Sequence, residues 1–102
     1  MNESADLKYF LSCIHKGRRN AIKTKDLKRL SGMDERTIRR IIELLRRKGH
    51  VIVSDTNGYY FPETVGELES YVKKTDKQAR SIFFTLQTAR NELKRLKDEE
   101  SA

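Results

Sequence analysis

Arg36 and Arg40 stand four residues apart with Thr37 between them, a spacing that sets two guanidinium forks one helical turn apart on a single face. A planar guanidinium carries five N–H donors and pairs bidentately with a carboxylate, a phosphate, or the O6 and N7 acceptors of guanine. A threonine beside the pair adds a hydroxyl and a methyl, which suit a phosphate oxygen or a thymine methyl. The chemistry written in this stretch is recognition of an anion or a base edge, not bond making.

Elsewhere the sequence offers no catalytic set. Cys13 is the single cysteine, so no internal disulfide and no cysteine-rich metal site are possible, and its setting in LKYFLSCI suits a small packed thiol. His15 and His50 are distant in sequence and neither belongs to an HExxH pattern. There is no phosphate-cradling glycine loop, nucleophile elbow or Ser/His/Asp arrangement. The expectation is a protein that is not an enzyme, with no catalytic residue, no metal and no cofactor.

Charge points the same way. The 102 residues carry a formal net charge of +7, and its location matters more than its size. Residues 16 to 48 hold 13 Lys+Arg against 4 Asp+Glu, whereas the rest of the chain holds 9 basic and 11 acidic residues. Positive charge gathered on the segment that contains Arg36 and Arg40 is the footprint expected for a polyanion partner. No apolar run approaches the roughly 18 residues needed to span a bilayer, and MNESADLKYF lacks a basic region followed by an apolar one. A cytoplasmic protein without a membrane partner is expected.

The element that must position the arginines is an amphipathic helix over MDERTIRRIIELLRRKG. Asp34 stands where an N-cap belongs and Gly49 where a C′ glycine belongs. At 100° per residue Ile38, Ile41, Ile42 and Leu45 fall in one apolar sector, and Arg36, Arg40, Glu43 and Arg47 fall roughly opposite. Before it lies a shorter helical pattern, Lys25 to Leu30, with Thr24 as its expected N-cap and Leu27 and Leu30 directed inward. The Ser31-Gly32 pair between the two is a turn signal, and Met33 reads as a core plug. Helix, glycine turn and arginine-bearing helix make a helix-turn-helix pattern.

Upstream, Leu7, Phe10, Leu11 and Ile14 recur at helical spacing, predicting a core helix from about Ser4 to His15. Residues 16 to 20 are polar and turn-forming, and Ala21-Ile22-Lys23 has room for a very short strand. Downstream, His50 to Ser54 is rich in β-branched residues, Asp55-Thr56-Asn57-Gly58 carries an Asn-Gly turn signal, and Tyr59-Tyr60-Phe61 is aromatic, together predicting a β-hairpin.

The order helix, short strand, helix, turn, helix, hairpin is that of a winged helix. The stretch LKRLSGMDERTIRRIIELLRRKGHVIVSDTNGYYF resembles the winged helix-turn-helix DNA-binding domain at the N-terminus of biotin-protein ligase repressors. The residues that carry the likeness are Leu27, Leu30, Ser31, Gly32, Leu45, Arg46, Gly49, Gly58 and Tyr59. It covers about residues 5 to 62 and leaves no room for a ligase domain. The overall layout also resembles small winged-helix proteins of phages and prophages of Gram-positive bacteria.

The resemblance implies that the helix from Asp34 to Lys48 enters the major groove of double-stranded DNA with its N-terminal half leading. Arg36, Thr37 and Arg40 are then the base-reading candidates. Arg18, Arg19, Lys23, Lys25, Arg39, Arg47 and Lys48 are placed for phosphates. Thr56 and Asn57 form the wing tip, which carries no Lys or Arg. Glu43 faces the same way as the arginines and requires one of them as a partner. The expected function is sequence-specific DNA binding by a transcription regulator of phage or bacterial type. The rival is a phage replication or helicase-loading accessory factor, with a replication protein as partner.

Two segments are expected: residues 1 to 62 as the DNA-binding domain and 63 to 102 as a helical dimerisation or packing segment. Pro62 closes the hairpin, and Thr64-Val65-Gly66-Glu67 has capping-box spacing. From there Leu68, Val72, Thr75, Ala79, Ile82, Leu86, Ala89, Leu93 and Leu96 recur in steps of four and three, a heptad seam. The fold class is therefore mainly α with a small β-hairpin, followed by one long C-terminal helix or by two hinged near residues 74 to 77. Ile82, Phe83, Leu86, Leu93 and Leu96 either pair with a second copy, giving a homodimer, or fold back in part onto Leu7, Phe10 and Leu11.

Overall fold

The structure, a computed structural model, describes residues 3–101. In chain order these form α1 (Glu3–Cys13), a 3-10 turn (Arg18–Asn20), α2 (Thr24–Ser31), α3 (Glu35–Arg47), β1 (Val53–Asp55), β2 (Gly58–Tyr60) and α4 (Val65–Ser101). The fold is mainly α with one small antiparallel hairpin. Two compact units follow one another along the chain, the first extending to Leu68 and the second beginning at Glu69. The division thus falls six residues beyond the one expected after Phe61-Pro62.

The first unit is built on α3. Ile38, Ile41, Ile42 and Leu45 are all almost fully buried, the single apolar sector that their spacing demands, and burial of each such side chain stabilises by roughly 1.5–3 kcal/mol. Around them gather Leu7 and Phe10 of α1, Ile14 just after it, Leu27 of α2, and Ile52 and Tyr59 of the hairpin region. Met33 packs against this core from the turn, as its position suggested, together with Leu11, Ile22 and Phe61.

Both ends of α3 are closed by local chemistry. The Asp34 carboxylate accepts the Thr37 N–H at 2.8 Å, and Asp34 itself is extended, so one of the orphan donors of the first turn is satisfied. At the other end Gly49 adopts φ 101; its N–H donates to the Arg46 carbonyl at 3.0 Å and the His50 N–H donates to the Leu45 carbonyl at 3.1 Å. These are the paired bonds of a Schellman motif.

Helix α2 departs from expectation at two places. Its cap is Lys23, extended and without a side-chain bond, and Thr24 lies inside the helix, half-buried. Leu30 is 54% exposed rather than inward. The reason is angular: the inward row is Thr24, Leu27 and Ser31, and a residue three positions after Leu27 is rotated 60° off it while one four positions later is only 40° off. The Ser31 hydroxyl seals that row by donating to the Leu27 carbonyl at 2.6 Å and accepting the Met33 N–H at 3.1 Å. Gly32, at φ 71, then turns the chain toward α3.

The hairpin pairs Val53 with Tyr60, Ser54 with Tyr59 and Asp55 with Gly58, so Thr56 and Asn57 are the two loop residues. No non-glycine among the described residues has a positive φ. The Asn-Gly signal therefore works differently from a type I′ turn, which needs positive φ at both central residues. Asp55 Oδ1 accepts the Asn57 N–H at 2.8 Å to form an Asx turn, and Gly58 takes the left-handed conformation at φ 118. The expected strand at residues 21 to 23 is reduced to one bridge, Ile22 with Tyr59. Its two bonds are 2.8 and 3.0 Å. A parallel bridge between Lys16 and Phe61 continues along the same edge, so β2 is covered on its outer side by residues 15 to 22.

Helix α4 is continuous from Val65 to Ser101. Of the two sequence readings the single long helix is therefore the one observed, and Thr75 caps nothing. Its start is the predicted capping box in part: the Thr64 hydroxyl accepts the Glu67 N–H at 3.1 Å, while the Glu67 carboxylate reaches one residue further back, to the Glu63 N–H at 3.0 Å. Among the described residues α4 buries no side chain; Ile82, Phe83, Leu86, Leu93 and Leu96 are all exposed.

Candidate nucleic-acid interface

The solvent face of α3 is where the sequence placed its arginines. Arg36 and Arg40 are exposed, and neither has a hydrogen bond or an ion pair within 4 Å among the described residues. Their neighbours on the same helix are engaged. Arg39 is tied to Glu35 one turn before it, and the Arg47 Nε lies 4.0 Å from Glu43. Glu43 therefore has its cation, as its presence on this face required, while two guanidinium groups one turn apart are left open to solvent.

Thr37 is half-buried and committed locally. Its N–H and its hydroxyl both serve the Asp34 carboxylate, and these bonds, the hydroxyl foremost, hold the Asp34 pKa below the ordinary carboxylate value despite some desolvation.

Lys28 is a residue that the sequence reading passed over. It is exposed on α2 and lies close enough to Asp34 for its charge to favour the carboxylate. That puts it beside the N-terminus of α3. The available signal was its place one turn before the Ser31-Gly32 turn, which brings the end of α2 back toward the start of α3. Lys25, Lys23 and Lys48 are exposed. Arg19 is exposed in the 3-10 turn.

Arg18 differs from its neighbour. Its Nε donates to the Tyr60 hydroxyl at 3.2 Å and lies 3.3 Å from Asp55 Oδ2, and the Tyr60 hydroxyl in turn donates to that same oxygen at 2.7 Å. Its backbone N–H donates to Glu67 Oε2 at 3.3 Å. A residue read as a phosphate ligand is thus also the link between the 3-10 turn, the hairpin and the first turn of α4. Burial pushes the Asp55 carboxyl up, but the bonds from Tyr60 and Asn57 and the Arg18 charge outweigh it and hold its pKa below the usual value. Thr56 and Asn57, the loop residues, are exposed at the tip.

Arg46 is a second basic residue with a structural post. Although it belongs to the Arg-rich end of α3, its Nε and Nη2 both donate to the Ile52 carbonyl, at 3.0 and 2.8 Å. The charge of this helix end is therefore divided between one arginine that binds the chain and one, Arg47, that faces out.

An open groove of about 790 Å³ lies beside the 3-10 turn, lined by Arg18, Arg19, Asn57, Glu63 and Glu67. Both Glu67 oxygens are engaged by backbone N–H groups. Among the described residues no group of three or more His, Cys, Asp or Glu side chains is arranged to hold a metal ion, and no helix is long and apolar enough to cross a membrane. Compared with protein-family models, curated proteins and solved structures, the chain matches none.

Proposed function

We propose that the protein binds double-stranded DNA as a sequence-specific transcription regulator of the winged helix-turn-helix type, with α3 in the major groove. The observation that carries this reading is the pair Arg36 and Arg40: two exposed guanidinium groups one turn apart, with no hydrogen bond or ion pair within 4 Å among the described residues, on a helix whose opposite face is anchored in the core. Such a fork is matched to guanine O6 and N7. Supporting it, the three-residue connection Gly32-Met33-Asp34 joins α2 to α3, the connection length typical of a helix-turn-helix. The basic excess of residues 16 to 48 supplies phosphate contacts through Lys23, Lys25, Lys28, Arg19, Arg47 and Lys48.

In this reading Arg18 holds the hairpin in place more than it binds phosphate. Two chains joined through α4 would engage a two-fold symmetric site.

The test is an electrophoretic mobility shift on random duplex at low salt, followed by a salt series. If about five phosphates are neutralised, log K should fall against log salt with a slope of roughly −4 to −5. Absence of binding at low salt overturns the reading and turns the search toward a protein partner, such as a component of a replication complex. A bound-fragment selection from the source genome then identifies the site.

A further inference from the structure

We propose that α4 pairs with α4 of a second copy in antiparallel orientation, with Phe83 of each chain meeting near the two-fold axis. The inference deepens the pairing proposed above and rests on it. Its ground is a row of charge that runs along one flank of the exposed seam.

The seam residues of the second unit are Val72, Ile82, Leu86, Leu93 and Leu96, exposed by 42 to 70%, with Thr75, Ala79 and Ala89 between them. One flank of a heptad seam takes every seventh residue. Here that flank reads Glu69, Asp76, Phe83, Arg90, Lys97: acidic at the start, aromatic in the middle, basic at the end. In an antiparallel pair this flank faces its own reverse. Glu69 then meets Lys97 of the second copy, Asp76 meets Arg90, and Phe83 meets Phe83, so all four charged pairs are attractive and none is like-signed.

The same register closes the seam. Val72 lies opposite Leu96 of the second copy, Thr75 opposite Leu93, Ala79 opposite Ala89 and Ile82 opposite Leu86. The other flank, Tyr71, Gln78, Thr85, Glu92 and Glu99, places no carboxylate opposite another. A parallel, in-register pair crosses the two flanks instead, and its one kind of opposite-charge contact is Glu92 with Lys97. Glu92 is already held by Arg95 of its own helix. Glu69, Arg90 and Lys97 have no ion pair among the described residues, while Asp76 has Arg80 at 3.0 Å. Phe84 lies on the side away from the seam and takes no part in the pairing.

The orientation is tested on the full chain by charge exchange. E69K/D76K and R90E/K97E each turn all four flank pairs repulsive in an antiparallel homodimer, whereas an equimolar mixture restores all four as a heterodimer. Sedimentation equilibrium should show the dissociation constant of each variant alone raised roughly tenfold or more, and the mixture as tightly paired as the unmodified chain. Circular dichroism checks that each variant is as helical as the parent. A parallel pair leaves E69K/D76K unaffected, and that result overturns the proposal.

Spin labels give a second readout independent of charge. With K73C in a C13S background, an antiparallel pair separates the labels by 22 residues along the axis, about 33 Å, while a parallel pair keeps them level, within roughly 20 Å. The short distance, or a full-length monomer at tens of micromolar, overturns the inference. Mobility shifts run on the same samples report DNA binding separately, so loss of the orientation and loss of the DNA reading are distinguishable.

Discussion

Arg46 reaches from the last turn of α3 to the carbonyl of Ile52, donating from both Nε and Nη2 at 3.0 and 2.8 Å. The contact locks the helix to the chain that leads into β1, and it gives adjacent arginines opposite duties. Arg46→Ala should destabilise the fold by about 1.5–3 kcal/mol, the usual worth of a charged hydrogen bond at a part-buried carbonyl. Arg47→Ala should change stability by less than about 0.5 kcal/mol and weaken DNA binding instead. Urea denaturation of both variants beside a mobility shift checks the division; equal stability losses would contradict it.

Arg36→Ala and Arg40→Ala should each lose roughly 1–3 kcal/mol on a cognate site and relax its sequence preference, because a bidentate fork to a base edge discriminates among sequences. Lys25→Ala should weaken cognate and random duplex about equally, as phosphate contacts do. Fluorescence anisotropy on both duplexes separates the cases, and equal losses from all three on both DNAs would mean that the arginines find only phosphate.

Gly58→Ala should cost about 2 kcal/mol or more. The residue sits at φ 118, and a Cβ there would run into the backbone of Ile22 and Lys23, so neither the conformation nor the space accepts a side chain. Gly66→Ala is the control: it lies in the first turn of α4, where a Cβ meets nothing closer than 4.0 Å, and the loss of unfolded-state freedom should stabilise by about 0.4–1 kcal/mol. Thermal denaturation of the pair reads both signs.

Stability should fall on the acid side. The pKa of Asp34 is lowered chiefly by its bonds from Thr37, that of Glu67 chiefly by the Glu63 N–H. For Asp55, burial opposes the shift and the bonds from Tyr60 and Asn57 with the Arg18 charge prevail. Each folded pKa lies below its unfolded value near 4, so each contribution is complete above that value and disappears as pH falls through the folded pKa. On the alkaline side, burial raises the Tyr60 pKa and Asp55 adds to it, against the opposing effect of Arg18; stability present below pH 10 should fall as pH rises through the folded value. Midpoints of urea unfolding from pH 3 to 11 test both limbs. In D34N/D55N the acid limb should become shallower, and an unchanged limb would refute the assignment.

Much of this was legible in the sequence because the signals were local. Asp34 and Gly49 bracketed α3 correctly since an N-cap and a Schellman glycine act within a few residues of themselves. The isoleucine spacing gave the buried face for the same reason. Leu30 was misread because an eight-residue helix has too few positions to fix its inward row, and Ser31 took the place by bonding to Leu27. The cluster of Arg18, Asp55 and Tyr60 and the reach of Arg46 to Ile52 were illegible: their partners lie 5 to 42 residues apart and are chosen by tertiary packing. Thus basic residues that look alike in composition divide into some that hold the chain and some that face outward.

The unbroken course of α4 has one more consequence. Thirty-seven residues without a hinge make a rod about 55 Å long at 1.5 Å per residue, and a rod engaged through a heptad seam measures distance in fixed increments. In the antiparallel register the two copies of Glu69 stand 30 residues apart along the axis, about 45 Å. Inserting seven residues at the centre of α4 would keep the seam intact and lengthen that separation by about 10 Å, while inserting two would rotate one half of the seam by about 200° and turn it away from its partner. The spacing of DNA half-sites selected by such insertion variants would then read out the helix as a ruler.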